Sequence, residues 1–200
     1  MWDKRYSEEG FAYGVEPNDF LKANYSQIPK GGKVLCLAEG EGRNAVFLAK
    51  QGFSVTAMDQ SAVGLEKAQA WAAKNGVEIS TVIADLNDYD LGVEAWDGIV
   101  SIFAHVPLTL RQKLHKQVVR ALKKNALFIL EAYTPAHIEM EGVGGPPAAQ
   151  IDMFMSLAGL HNELSGLNFV IGLEVEREIS EGQYHQGKGA VVQVMACKPD

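Results

Sequence analysis

Hydrophobic positions alternate along this chain between short continuous runs and longer stretches of helical spacing. Lys33–Ala38 is an apolar run of strand length that ends at a glycine turn, and Asn44–Gln51 follows with Ala45, Leu48 and Ala49 at helical spacing. Ser54–Met58 is a second strand, closed by Asp59. Ser61 then stands at the N-cap of a helix whose inner face is Leu65, Ala68 and Ala72, and Asn75-Gly76 ends it. The same reading predicts strands over Glu78–Ala84, Asp97–Phe103 and Ala126–Ala132. A long amphipathic helix over Leu108–Leu122 carries Leu110, Leu114, Val118 and Ala121 on one face. Ile151–Leu160 reads as helical. Phe169–Ile179 and Ala190–Cys197 read as two longer strands joined by a polar, glycine-containing turn.

Strand-helix alternation of this kind implies right-handed crossovers and a parallel sheet with helices on both faces. The two closing strands, with no helix between them, imply an antiparallel hairpin at the sheet edge. Residues 1–200 are expected to form a single domain, with no internal repeat and no boundary. Thr134–Gln150 breaks the rhythm with Pro135, Gly142, Gly144, Gly145, Pro146 and Pro147. It follows the fifth strand, on the side where open parallel sheets bind ligands, so 134–150 is expected to be a loop or lid.

Composition narrows the function. The apolar fraction of 47% suffices for a real core. Lys and Arg total 18 against 25 Asp and Glu, a net charge of −7, which argues against a nucleic-acid partner and leaves small or neutral substrates open. No apolar run approaches the roughly 20 residues of a membrane span, and the first residues lack the apolar core of a signal peptide. Cys36 and Cys197 both fall in apolar strands, a pattern suited to a reducing cytoplasm rather than a disulfide framework. Five scattered histidines show no metal-ligand spacing, so no metal is expected.

The chemistry concentrates at Gly40-Glu41-Gly42-Arg43-Asn44-Ala45, which formally matches the dinucleotide pattern G-x-G-x-x-G/A. The glycines are expected to let a ligand approach the backbone, and the helix start to offer free N–H groups. Asp59, seventeen residues after Gly42, is placed to accept the hydroxyl protons of a ribose. Which nucleoside is decided by charge: Glu39 and Glu41 would each oppose a pyrophosphate by something on the order of 1 kcal/mol, yet attract a sulfonium and an ammonium. Ile83-Ala84-Asp85-Leu86 suits an adenine, with the carboxylate accepting from the exocyclic amine. These features, with the closing hairpin, favour S-adenosyl-L-methionine. An NAD(P)-dependent oxidoreductase and a non-catalytic nucleoside-binding module are the alternatives. Tyr184 and Lys188 form the Y-x-x-x-K of short-chain dehydrogenases, but in a turn beside Gly187 and not on a helix.

The glycine motif, Asp59, Ala84-Asp85-Leu86 and Trp96-Asp97-Gly98-Ile99-Val100 stand in the order and spacing of class I S-adenosylmethionine-dependent methyltransferases, which the chain resembles over nearly its whole length. Within that family it is similar to the TehB-like (tellurite-resistance type) and thiopurine-methyltransferase-like branch. That closer likeness rests on Tyr13-Gly14 with Glu16-Pro17-Asn18, Gly42-Arg43-Asn44, Ile102 to Pro107, and Glu181-Gly182-Gln183-Tyr184-His185. The resemblance implies an α/β, Rossmann-like, seven-stranded and mostly parallel sheet flanked by helices, in the order 3-2-1-4-5-7-6. It implies methyl transfer to a small acceptor: a thiol, an oxyanion or a small metabolite. Cofactor contacts would fall on Tyr13, Glu39, Gly40, Gly42, Arg43, Asp59, Gln60, Ala84, Asp85, Leu86 and Phe103. One departure stands out. The family pattern D-x-G-x-G-x-G has Cys36 and Ala38 here, which leaves Glu39 as a substitute to hold the methionine ammonium.

Methyl transfer from a sulfonium is an in-line displacement in which the protein orders the reactants and excludes water, so no catalytic triad is needed. His105, after the fourth strand, is the candidate base for a protonated acceptor. Tyr184 and His185 are expected to line the substrate mouth with it. Arg43 would pair with the cofactor carboxylate, with an anionic acceptor, or with Glu41 or Glu39. Residues 1–30 would form an N-terminal cover with short helices, Asn18 capping the second. His115 is expected on the exposed side of the long helix, and the chain is expected to be a monomer or weak homodimer.

Overall fold

A computed structural model describes residues 1–200. Seven strands form one sheet: β1 (Lys33–Leu37), β2 (Ser54–Asp59), β3 (Ser80–Ile83), β4 (Trp96–Ile102), β5 (Leu122–Tyr133), β6 (Asn168–Glu181) and β7 (His185–Cys197), in the order β3-β2-β1-β4-β5-β7-β6. β1 to β5 run parallel, and β7 is antiparallel to both β5 and β6. Six α-helices accompany them: α1 (Trp2–Tyr6), α2 (Asp19–Asn24), α3 (Arg43–Lys50), α4 (Ala62–Lys74), α5 (Leu108–Ala121) and α6 (Leu157–Glu163).

The inner strands β1, β2 and β4 read as nearly continuous apolar runs because both faces of the sheet are covered there. Leu35 and Leu37 point to one layer, with Leu114, Val118, Phe128 and Leu160. Val34 and Cys36 point to the other, with Phe20, Leu21, Ala45, Leu48 and Leu65. Side-chain caps begin three helices: Asn18 Oδ1 accepts from Leu21 N–H, Ser61 Oγ from Gly64 N–H, and Ser156 Oγ from Gly159 N–H, each at 3.1 Å.

Several boundaries depart from the periodicity. β5 starts at Leu122, directly after α5, because Trp96 pairs with Leu122 before the register shifts and Gly98 pairs with Leu127. The predicted helix over Ile151–Leu160 is two pieces, a 3₁₀ segment at Ala148–Met153 and then α6, with Phe154 and Met155 buried between them. The hairpin is longer than expected, so that His185 opens β7 and the turn is only Gly182–Tyr184. His115 is not exposed but 2% accessible, because α6 packs on that side of α5. There its Nδ1 lies 2.7 Å from Glu163 Oε2, and Arg111 holds the same carboxylate.

Thr134–Gln150 lies on the hairpin and is not free of it. Val143 N–H donates to Gln186 O (2.7 Å), Gln186 N–H donates back (3.0 Å), and Gly142 N–H donates to Lys188 O (3.2 Å). The N-terminal segment is strapped across α4: Ser61 Oγ donates to Asp3 (2.5 Å), and Lys67 Nζ donates to Glu8 O, Gly10 O and Glu41. No helix is long and apolar enough to cross a membrane.

Candidate functional site

A cavity of about 830 Å³ opens at the C-terminal ends of β1, β2, β3 and β4. Its floor is the turn after β1, and its roof comes from α1, Tyr13-Gly14, Val143–Pro147 and the hairpin residues Tyr184 and His185. Parallel strands deliver their loop residues to one edge, so five separate segments converge there.

The floor is built around two carboxylates. Glu39 Oε1 accepts the Ala45 N–H at 2.7 Å, so this side chain caps α3 from the turn that precedes it. Burial pushes its carboxyl up to about 7, against the opposing pull of the α3 amides and Arg43. Asp59 Oδ2 accepts from Gly40 N–H and Oδ1 from Ser61 N–H, both at 2.8 Å. Burial raises its carboxyl as well, while those amides hold it down.

This geometry gives the two glycines a structural reason. Neither Gly40 nor Gly42 lines the cavity. A Cβ on Gly40 would stand 2.5 Å from Tyr6 Oη, and one on Gly42 2.6 Å from Ala68 Cβ. With φ of +61° and +88°, both are required by the backbone and by close packing against α1 and α4. The α3 amide of Ala45 is not free either, because Glu39 takes it.

Arg43 lines the cavity but pairs with neither Glu39 nor Glu41. Its Nη2 donates to Glu181 Oε2 at 2.5 Å and its Nη1 to Glu16 O at 3.4 Å. Glu181 belongs to a buried network with Glu131, which is wholly inaccessible. Asn18 Nδ2 donates to both carboxylates (2.8 and 2.9 Å), Arg177 also donates to both, and Gln193 donates to Glu131. Two carboxylates thus meet two guanidiniums, which locks the N-terminal cover, α3, β5 and the hairpin together. Glu41 is likewise committed, accepting from Ala12 N–H (2.7 Å) and Lys67 Nζ (2.9 Å).

On the β2–β3 side, Gln60, Ala84, Asp85 and Leu86 line the wall. Asp85 Oδ1 accepts from Asn87 N–H at 2.8 Å, which leaves Oδ2 without a partner in the protein.

The opposite end is aromatic. His185 lies 4.6 Å, ring to ring, from both Tyr13 and Phe103, and Phe103 stacks at 4.7 Å on Tyr133. Phe103 holds φ of +53°, which turns the chain after β4 across the strand ends. Tyr184 donates its hydroxyl to Glu8 at 2.8 Å. Burial, with Arg43 and Arg5 nearby, lowers His185 to about 2, and its buried Nδ1 has no partner. The Tyr133 hydroxyl beside it is also unpartnered.

His105 lines the cavity, but the structure does not favour it as a base. Its Nδ1 lies 2.9 Å from Met153 O and must carry the proton, so Nε2 accepts the Tyr133 N–H at 3.2 Å. Both nitrogens are spent, and burial lowers the ring to about 4.

Sequence reasoning missed Trp2, Arg5 and Tyr6. They line the cavity from a five-residue helix too short to show a period. The cluster Trp2-Asp3-Lys4-Arg5-Tyr6, dense in aromatic and basic residues, was the available signal. Asn18 was legible as a helix cap and Glu181 as part of a motif, but their meeting with Glu131, a lone acid in an apolar strand, was not.

Residues 34–125 match a family model described as Methyltransferase domain. Among curated proteins, the chain is 33% identical over 121 residues to an uncharacterized methyltransferase, YbaJ, of Bacillus subtilis, covering 57% of this chain and 48% of that protein. It is 26% identical over 140 residues to a tRNA (uracil(54)-C(5))-methyltransferase of Pyrococcus abyssi, covering 62% of this chain and 32% of that one. The chain thus spans half the length or less of these two relatives. Among solved structures, TehB from Haemophilus influenzae superposes with a TM-score of 0.71 at 21% identity, over 98% of this chain and 65% of that one. The N-methyltransferase NodS from Bradyrhizobium japonicum, in complex with S-adenosyl-L-homocysteine, gives 0.70 at 13% identity over 100% and 97%. At these identities the two structures show the fold.

Proposed function

From the methyltransferase domain that residues 34–125 carry, and the class I fold built around it, we propose that this chain transfers a methyl group from S-adenosyl-L-methionine to a small acceptor. One observation carries the reading. Glu39, Asp59 and Asp85 converge on a single roofed cavity whose far end is a wall of aromatic rings. About 830 Å³ lies within the usual range for small-molecule sites, roughly 300–1,000 Å³.

The residues fit that cofactor. Asp85 Oδ2, without a protein partner, suits an adenine amine. Asp59 keeps lone pairs for ribose hydroxyls beyond the two amides it accepts, and Glu39 stands where an ammonium would be neutralised. When bound, S-adenosylmethionine supplies a methyl carbon already activated by its sulfonium. The chain's own part is to orient and to exclude water: Tyr13, Phe103 and His185 form an apolar wall, and residues 1–14 and 143–147 roof it. We assign 134–150 as the lid and 1–30 as the cover.

The roof and the net charge of −7 favour a small acceptor over RNA, which would need an open, basic face. The carboxylates of the floor disfavour the pyrophosphate of NAD(P). Calorimetric titration with S-adenosylhomocysteine and with NADH tests the cofactor. Acceptor-dependent release of S-adenosylhomocysteine across a panel of small thiols, oxyanions and phenols tests the reaction. Tight binding of NADH alone would overturn the reading.

A further inference from the structure

We infer that the methyl acceptor reacts as an anion, ionised before it binds, and that Arg5 is the residue that selects it. The inference rests on the methyl-transfer reading above.

Four of the five arginines are paired with carboxylates: Arg43 with Glu181, Arg111 with Glu163, Arg120 with Asp90 and Arg177 with Glu131. Arg5 alone has no carboxylate partner, in a chain with 25 acidic residues, and it lines the cavity. Its position is held without neutralising it. Nη1 donates to Tyr13 Oη at 2.7 Å, and the guanidinium lies 4.4 Å from the Tyr184 ring centroid and 5.1 Å from that of Trp2. Glu8, in the same segment, accepts from the Tyr184 hydroxyl. A guanidinium has five N–H donors in a plane, so contacts to its faces and one edge leave the rest of the fork for a planar anionic group.

The second strand of the argument is the missing base. Transfer forms a bond from an acceptor lone pair to the methyl carbon as the carbon–sulfur bond opens and its electrons return to sulfur as a neutral thioether. A neutral thiol or hydroxyl would leave a proton to be removed. At the aromatic end, His105 has spent both nitrogens, and His185, whose Nδ1 is unpartnered, sits between the Tyr13 and Phe103 rings beside Arg43 with no carboxylate to stabilise the imidazolium that taking a proton would form. Glu181 is saturated by Arg43, Arg177 and Asn18. None of these three is poised to take a proton and hold it as a paired cation or a free acid. An anion needs none: it arrives negative and leaves neutral, and the cationic sulfonium becomes uncharged. Aromatic faces at Tyr13, Phe103 and His185 suit a soft, polarisable anion such as an aromatic thiolate.

The test uses the full chain with bound S-adenosylhomocysteine and two probes: 4-nitrothiophenolate, ionised at neutral pH, and its uncharged S-methyl ether. The wild type is expected to bind the thiolate more tightly by roughly tenfold or more, the scale of a hydrogen bond to a charged group. Arg5→Gln is expected to erase the preference, Arg5→Lys to restore part of it, and both to leave S-adenosylhomocysteine affinity unchanged within about twofold. In turnover with S-adenosylmethionine saturating at every pH and two aromatic thiols of different acidity, the inflection of kcat/KM for the thiol against pH is expected to follow each thiol's own ionisation. An inflection common to both thiols reveals a base on the protein and overturns the inference. So does equal loss of both probes in Arg5→Gln, or binding of neither probe to the wild type. Loss of S-adenosylhomocysteine binding in Arg5→Gln would assign the guanidinium to the cofactor's carboxylate and also defeat it. Failure of the wild type to bind S-adenosylhomocysteine would instead strike the methyl-transfer reading itself.

Discussion

Replacing Glu39 by Gln separates two roles that the structure gives one carboxylate. Oε1 caps α3 through the Ala45 N–H, a bond that a glutamine amide oxygen reproduces. The charge is what the substitution removes. In the free protein the carboxyl is pushed up to about 7 by burial. A bound ammonium favours the ionised form, so cofactor binding should expel a proton whenever the pH lies below that value. If only the ionised form binds well, the competent fraction climbs from roughly 9% at pH 6 to roughly 91% at pH 8, and the affinity rises about tenfold, or about 1.4 kcal/mol. Titration calorimetry with S-adenosylhomocysteine at several pH values measures this directly. Taking the ratio of wild type to Glu39→Gln removes the titration of the ligand's own amine.

The stability of the ligand-free protein should move in the opposite sense. Glu39 titrates higher in the folded chain than in the unfolded one, so its contribution is fully present at acid pH and is lost as pH rises through about 7. Glu39→Gln should therefore raise the melting temperature of the free protein at pH 8 relative to wild type, and by less at pH 5. An affinity ratio that is flat between pH 6 and pH 8 would refute the argument. Proton release on binding that persists in Glu39→Gln would refute it as well.

Three further outcomes follow from single contacts. Glu131→Ala strips acceptors from Arg177, Asn18 and Gln193 inside the core and should cost about 3–5 kcal/mol in denaturant unfolding, with Glu131→Gln milder. Gly42→Ala should destabilise by roughly 1–3 kcal/mol, through its φ of +88° and the clash with Ala68, and a double-mutant cycle with Ala68→Gly should recover part of that loss. Hydrogen exchange across 134–150 should slow when S-adenosylhomocysteine and an acceptor are both bound; identical exchange in all states would mean that the segment is a fixed wall and not a lid.

Strand and helix periods made the architecture legible because they report burial, which is nearly continuous along the inner strands β1, β2 and β4. The continuous run Val34–Leu37, with both faces covered, could only be an inner parallel strand, and Ser54–Asp59 repeats the pattern. The acids at the strand ends were legible for a related reason: a carboxylate that closes an apolar run must find donors, and Asp59 finds Gly40 and Ser61. Contacts between segments remote in sequence left no such trace. Gly40 and Gly42 announced a tight turn, but nothing local could say that Tyr6 and Ala68, rather than a ligand, fill the space above them. His105 announced a titratable group at the right edge of the sheet. That Met153 and Tyr133 claim its two nitrogens depends on a 3₁₀ segment and a strand placed by tertiary packing. Arg43 and Arg5 show the same limit from opposite sides. Each is an arginine beside aromatic or acidic neighbours in the sequence, yet Glu181 silences the first, 138 residues away, while the second is left uncompensated at the mouth of the cavity. Which charge remains free to act is thus decided by the longest-range pairings in the fold, and those are the pairings that local spacing does not encode.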